Sequence, residues 1–321
     1  MKRLSFVLLL PLLCVSFAHA QQSPCPLAGT NFERIPEQPG VPGSGACIYY
    51  RAVPHKGYQR SYKLLVPDSI KTSPKADRLV VDFHGYGSSK SNQLEASCWK
   101  DKAIAGGFAV AYPNGTGFPV SYSAGDYCCD ASPVRPPRDD VMFAKQVVAD
   151  AKSLLSTPTS HWKAYASGLS NGGALAHEIG CAGTDVFAGI AAVSQTFTRK
   201  PGHACLDGRA PIPVLDVRAK HDDVIPYAGG PSLATFYTGV WLSADESRAR
   251  WAEELQCSAA APQRKDYAGG SYCLRMTCPT PFVQCTIEGK HVLYDTAREH
   301  GIDVCDAAWE FFGEQPQKLL P

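Results

Sequence analysis

The sequence predicts an α/β fold in which a mostly parallel central sheet carries helices on both faces and disulfides brace the whole. Three observations lead there. From Arg60 onward short apolar runs alternate with helical patterns, and that alternation folds as a parallel sheet covered on both sides. The chain has 321 residues, 45% of them hydrophobic and 19% charged, so it can bury a full core. An even set of cysteines follows an export leader.

The leader is residues 1–20. Lys2 and Arg3 precede an apolar run from Leu4 to Phe17, and Ala18-His19-Ala20 gives the small-x-small pattern of a signal-peptide cleavage site before Gln21. The chain is therefore expected to be secreted, with residues 21–321 forming a single catalytic-sized domain. Cys14 leaves with the leader. Twelve cysteines remain, Cys25, Cys47, Cys98, Cys128, Cys129, Cys181, Cys205, Cys257, Cys273, Cys278, Cys285 and Cys305, enough for six disulfides in an oxidising compartment. Their count does not fix the pairing. Cys273, Cys278 and Cys285 lie close together, but their gaps do not match paired zinc-ligand spacing, so no metal is expected.

The elements follow in order. A Pro/Gly-rich lead, Pro24 to Gly45, holds Cys25, with Cys47 just beyond it, and reads as a disulfide-tied segment without regular structure. Strands are predicted at Tyr62–Val66, Leu79–Phe83, Phe108–Tyr112, Ala164–Ser167, Val186–Val193, Val214–Val217 and Val283–Ile287 from their short apolar, β-branched runs. Helices are predicted at Gln93–Ala105, Asp139–Leu155, Asn171–Gly180, Ala244–Leu255 and Asp306–Phe312. There is no repeat and no low-complexity tether. Lys and Arg total 31 against 30 for Asp and Glu, with no long run of either sign, which argues against nucleic acid or an anionic membrane as partner. Past the leader no stretch has the apolar length to span a bilayer. A monomer acting on a small neutral group is expected.

In an open parallel sheet the reactive groups gather where strands end at their carboxyl edge. The strand Ala164–Ser167 runs into Gly168-Leu169-Ser170-Asn171-Gly172, and a helical pattern follows at once. A G-x-S-x-G on a strand-to-helix turn presents its serine as a nucleophile, here Ser170. A hydroxyl needs a base, and the base needs an orienting carboxylate. After Val214–Val217 the loop offers Asp222 or Asp223, between which the pattern does not choose. After Val283–Ile287 it offers His291, with His300 as a rival farther from the strand end. His84, His177, His203 and His221 break the Ser, acid, His order and read as structural or surface histidines. Oxyanion donors would be the N–H of Asn171 and one from the turn His84-Gly85-Tyr86-Gly87, at Tyr86.

Several stretches together carry a resemblance: Val81 to Gly87, Tyr112 to Gly117, Gly125 to Cys129 with Asp139 to Phe143, Gly168 to Gly173, Asp222 to Tyr227, and Asp306 to Phe312. Over about residues 58 to 313 the chain resembles the secreted feruloyl esterase and polyhydroxybutyrate depolymerase group of the α/β-hydrolases, likened to carbohydrate esterase family 1. The group's acid motif, H-G-x-x-D-x-x-(V/I)-P-Y, aligns Asp222 with the catalytic aspartate, while Arg218-Ala219 stand for its His-Gly and Lys290 for the Gly before His291. The resemblance implies a serine carboxylesterase acting on an ester of polysaccharide or polyester, with no cofactor. Feruloyl esterase is the leading expectation, because the chain has no room for a granule-binding domain. Polyhydroxybutyrate depolymerase, acetyl xylan esterase and an inactive binding protein are the alternatives. It also implies a disulfide from Cys128 or Cys129 to Cys181 beside the site, and an overhanging stretch Phe118 to Pro137 whose Tyr122 or Tyr127 either meets an aromatic acyl group or is buried. Asn114-Gly115-Thr116 is a glycosylation sequon.

Overall fold

The computed structural model describes residues 25, 31–73, 76–124, 139–155, 162–183, 185–197, 205–231, 241–294 and 297–313. The leader, Cys128, Cys129, Tyr127 and His203 lie outside the described residues. Among the described residues eleven strands, numbered β1 to β11 along the chain, form one sheet in the order β1-β2-β3-β5-β4-β6-β7-β8-β11-β10-β9. Six central strands are parallel neighbours: β5 (Ala109–Pro113), β4 (Arg78–Phe83), β6 (Lys163–Leu169), β7 (Phe187–Val193), β8 (Val214–Ala219) and β11 (Phe282–Ile287). Nearly all their Ala, Val, Ile and Leu residues are buried, on both faces of the sheet, which is why they read as mainly apolar runs.

The sheet is mixed because antiparallel strands extend both flanks. On one side lie β1 (Phe32–Ile35), β2 (Ala46–His55) and β3 (Tyr58–Pro67); on the other, β10 (Tyr272–Met276) and β9 (Gln263–Asp266). The lead before Gly45 is thus not wholly irregular, since Phe32–Ile35 pairs with Ala46–Tyr49 while Cys25 is bonded to Cys47 as expected. The polar strand β9, QRKD, sits at an edge, where charge deters pairing with another chain.

Helices α3 (Asp140–Leu155), α4 (Asn171–Cys181) and α5 (Ala244–Glu254) cover one face, with Phe143, Val147, Leu175, Ile179 and Trp251 in its core. The other face takes α1 (Lys90–Ala96), α2 (Trp99–Gly106) and α7 (Val304–Phe312), built around Trp99, Phe108, Trp309 and Phe312. Helix α5 opens on a reciprocal cap between Ser243 and Glu246. The single helix expected over Gln93–Ala105 is two, because Ser97 is extended (φ −83°, ψ 147°) and the adjoining Cys98 is bonded to Cys305 of α7. A short helix, α6 (Ala297–His300), carries His300.

Five disulfides join described residues: Cys25–Cys47, Cys98–Cys305, Cys181–Cys205, Cys257–Cys278 and Cys273–Cys285. The expected bridge from Cys181 to Cys128 or Cys129 is therefore not made. Eleven residues of helix carry the chain about 16 Å from its start, so Cys181 lies at the far end of α4 from Ser170, where Cys205 meets it on the way to β8.

Candidate active site

Strand β6 ends at Leu169, and the chain reverses at Ser170 with φ 57° and ψ −118° before α4 begins. A non-glycine residue holds a positive φ only where its surroundings enforce it. Here Ser170 N donates to Val193 O at 2.9 Å and Ala174 N donates to Ser170 O at 2.9 Å. The glycines are required by contact. A Cβ on Gly168 would lie 2.5 Å from the backbone of Gly172, and one on Gly172 would lie 2.1 Å from Phe83 O. The motif's two glycines thus let strand, turn and helix pack backbone to backbone, leaving Ser170 half-buried at the carboxyl edge.

Asp222 follows β8 and His291 follows β11, and these strands are parallel neighbours in register from Val214 and Phe282 to Ala219 and Ile287. The pairing continues past them through Lys220 N to Ile287 O at 2.8 Å and His221 N to Gly289 O at 2.9 Å. This brings His291 Nδ1 to 2.9 and 2.8 Å from Asp222 Oδ1 and Oδ2. The carboxylate is itself fixed, because Oδ1 also accepts from Val224 N at 2.9 Å and Ile225 N at 2.8 Å. A buried carboxylate only accepts, so Nδ1 carries the proton and Nε2 keeps its lone pair for use as a base. Asp223 is exposed, and of the two acids it is Asp222 that meets the imidazole. His300 lies apart, over the β9–β10 turn with its nearest acid Glu299 at 3.7 Å.

The turn after β4 lies against the serine: a Cβ on Gly85 would be 3.5 Å from Ser170 Cβ. Tyr86 beside it is exposed. His84 holds this turn from within. Its Nε2 accepts from Gly115 N at 2.9 Å, so Nδ1 carries the hydrogen and donates to Gly85 O at 2.7 Å. Burial lowers its pKa to about 4, which keeps the ring in that neutral form. His177 is likewise interior, accepting from Trp251 Nε1 at 3.0 Å, and His221 is exposed beside Glu288.

Some contacts were not foreseen. The Asn171 side chain accepts from Tyr122 N at 2.8 Å and donates to Tyr122 O at 3.0 Å, tying the stretch after Phe118 to the start of α4. Tyr122 is fully buried, its hydroxyl donating to Pro113 O at 2.9 Å, so of the two expectations for it burial holds. Arg60 and Asp140 form an interior ion pair that also takes Asn114 O at 3.1 Å and Ser123 N at 2.7 Å. Asn114 Oδ1 accepts from Lys90 N at 3.0 Å, so the sequon's amide is engaged at the start of α1.

No family model matches the chain. Among curated proteins it is 28% identical over 276 residues to a Nocardia uniformis subsp. tsuyamanensis protein named as an esterase, NocK, covering 82% of this chain and 76% of that one. It is 27% identical over 197 residues to feruloyl esterase B of Piromyces equi, covering 60% of this chain and 35% of that longer protein. Among solved structures, acetyl xylan esterase from Aspergillus awamori superposes with a TM-score of 0.57 at 13% identity, covering 82% of this chain and 99% of its own, a likeness of fold. Fold and sequence kinship agree: the chain has the fold of the α/β-hydrolases, is similar in sequence to feruloyl esterase B among other esterases, and is a carboxylic ester hydrolase.

Proposed function

We propose that the chain is a secreted serine carboxylesterase that frees hydroxycinnamic acids, ferulate among them, from plant cell-wall polysaccharide. Ser170 Oγ attacks the ester carbonyl, and His291 Nε2 removes its proton and returns it to the departing sugar oxygen. Asp222 holds the imidazole in the required tautomer and stabilises its charged form. The N–H groups of Tyr86 and Asn171 receive the oxyanion, and a water activated by His291 then releases the acid. No step is assigned to a metal or organic cofactor.

The observation that carries this reading is the His291–Asp222 pair on the same sheet edge as a serine held at positive φ. Its substrate rests on kinship with feruloyl esterase B. Export is supported by five disulfides, which persist in oxidising compartments, and among the described residues no helix is long and apolar enough to cross a membrane. The expected export product is one catalytic domain beginning near Gln21, which amino-terminal sequencing of secreted protein checks.

The deciding experiment assays wild type and Ser170→Ala on methyl ferulate, acetylated xylan and polyhydroxybutyrate film, with fluorophosphonate labelling in parallel. Activity highest on methyl ferulate, with labelling and turnover both lost in the variant, supports the assignment. Turnover surviving in Ser170→Ala overturns the mechanism, and preference for xylan acetate or film overturns the substrate.

A further inference from the structure

Asp222 holds His291 from one side; the loop that presents the imidazole is also held from behind. Three residues past His291 the chain turns inward and Tyr294 is buried, its hydroxyl accepting from Gln93 Nε2 at 2.9 Å. The same nitrogen donates to Asp82 Oδ2 at 2.8 Å. Gln93 is buried on α1, and Asp82 is buried on β4, two residues before His84 opens the turn that lies against Ser170. One amide group therefore joins the loop bearing the imidazole to the strand leading into the oxyanion turn, with its two hydrogens pointing one each way.

Such a trio is an expensive way to fill space. Ser97 and Tyr112 are buried beside Asp82, and burial pushes the Asp82 carboxyl up to about 7 even against the hydrogen bonds of Gln93, Ser97 and Ser167. Apolar side chains of similar volume would pack there without that cost. What they would lack is direction: a hydrogen bond fixes distance and angle where an apolar contact lets a loop slide.

We propose that Gln93 and Tyr294, anchored on Asp82, are positioning residues that fix the His291 loop relative to the turn at Gly85 and Tyr86. The inference rests on the triad reading above. Asp222 sets the rotation and tautomer of the imidazole; the Gln93–Tyr294 tie sets where its Nε2 stands with respect to Ser170.

The test uses Tyr294→Phe, which removes one oxygen and keeps the ring, with Gln93→Leu and the double variant. Turnover of methyl ferulate by Tyr294→Phe is expected to fall about 10-fold with KM within about twofold, less than the hundredfold that 1 Å of misplacement costs. Fluorophosphonate labelling of the serine should slow by the same factor, and the double variant should be no worse than the worse single one, because the two groups act as a unit. Concentrations are set by active-site titration, so loss of folded protein does not count as loss of rate. Turnover and labelling in Tyr294→Phe within twofold of wild type overturn the proposal, as do additive effects in the double variant. Should Gln93→Leu fail to fold, Tyr294→Phe alone decides. An active Ser170→Ala sinks the triad reading itself; an inactive one beside an unimpaired Tyr294→Phe sinks only this inference.

Discussion

Replacing Asp82 by Asn should stabilise the protein, and by an amount that grows with pH. Asp82 is wholly buried, and burial raises its carboxyl from 3.8 to about 7, with the Gln93 amide opposing the shift. Below about pH 4 the folded and unfolded chains both hold the proton. Between about pH 4 and 7 the unfolded chain has released it and the folded chain has not. The folded state then binds more protons, so stability falls as pH rises, by up to 1.36 kcal/mol per pH unit. Above about pH 7 both states are ionised and the loss is complete. The difference of 7 and 3.8 is 3.2, which at 1.36 kcal/mol each amounts to about 4 kcal/mol. Asn fills the same volume, keeps an oxygen for the Gln93 amide and does not titrate. Guanidinium unfolding of both proteins with disulfides intact, read by tryptophan fluorescence, isolates this group because every other titration cancels in the difference. The advantage of Asp82→Asn should be about 2–3 kcal/mol larger at pH 8 than at pH 5. A difference that stays flat across that range, within about 0.5 kcal/mol, would refute the buried-carboxyl argument.

Three further outcomes follow from the geometry. Gly172→Ala drives a methyl to 2.1 Å from Phe83 O, so the start of α4 must shift and carry Ser170 with it; kcat/KM should fall about 10²-fold while far-ultraviolet circular dichroism stays native. Asp140→Ala strands the Arg60 guanidinium in the interior and should cost about 3–5 kcal/mol in guanidinium unfolding, whereas a loss below about 1 kcal/mol would mean that Arg60 finds water. Replacing Cys98 and Cys305 together by Ser opens a closure spanning 207 residues, and the chain-entropy account expects a loss of about 5 kcal/mol, read as a lower Tm.

The parallel centre of the sheet is legible in the sequence because strands buried on both faces are apolar at most positions, interrupted only by polar residues such as Asp82, Asp216 and Arg218. AVAYP of β5 and the buried VLDVRA of β8 announce themselves by that run. The flanks are not legible for the opposite reason. In β2, Cys47, Tyr49 and Val53 face one core and Ile48 the other, while Tyr50 and Arg51 are only partly covered, so neither alternation nor an unbroken run appears. Strand β9 has no apolar residue at all and exists because β10 offers it hydrogen bonds. The break between α1 and α2 is equally hidden: a cysteine bonded 207 residues away leaves no local sign.

The same division runs through the site. The proposed triad of Ser170, Asp222 and His291 can be read from sequence because each follows a strand of the parallel block, and strand ends are where reactive groups gather in such sheets. What orders those three cannot be found that way. The tie from Tyr294 to Gln93 spans 201 residues, that from Asn171 to Tyr122 spans 49, and in each case the partners are ordinary residue types at positions any buried polar group might occupy. The residues proposed to react sit where the topology dictates, and the alignment proposed for them depends on long-range polar contacts that only tertiary structure assembles. A chemical motif is therefore a poor guide to which substitutions will impair turnover here. Val292, next to the imidazole in sequence, is 61% exposed and should tolerate exchange, whereas Gln93, two hundred residues distant, should not.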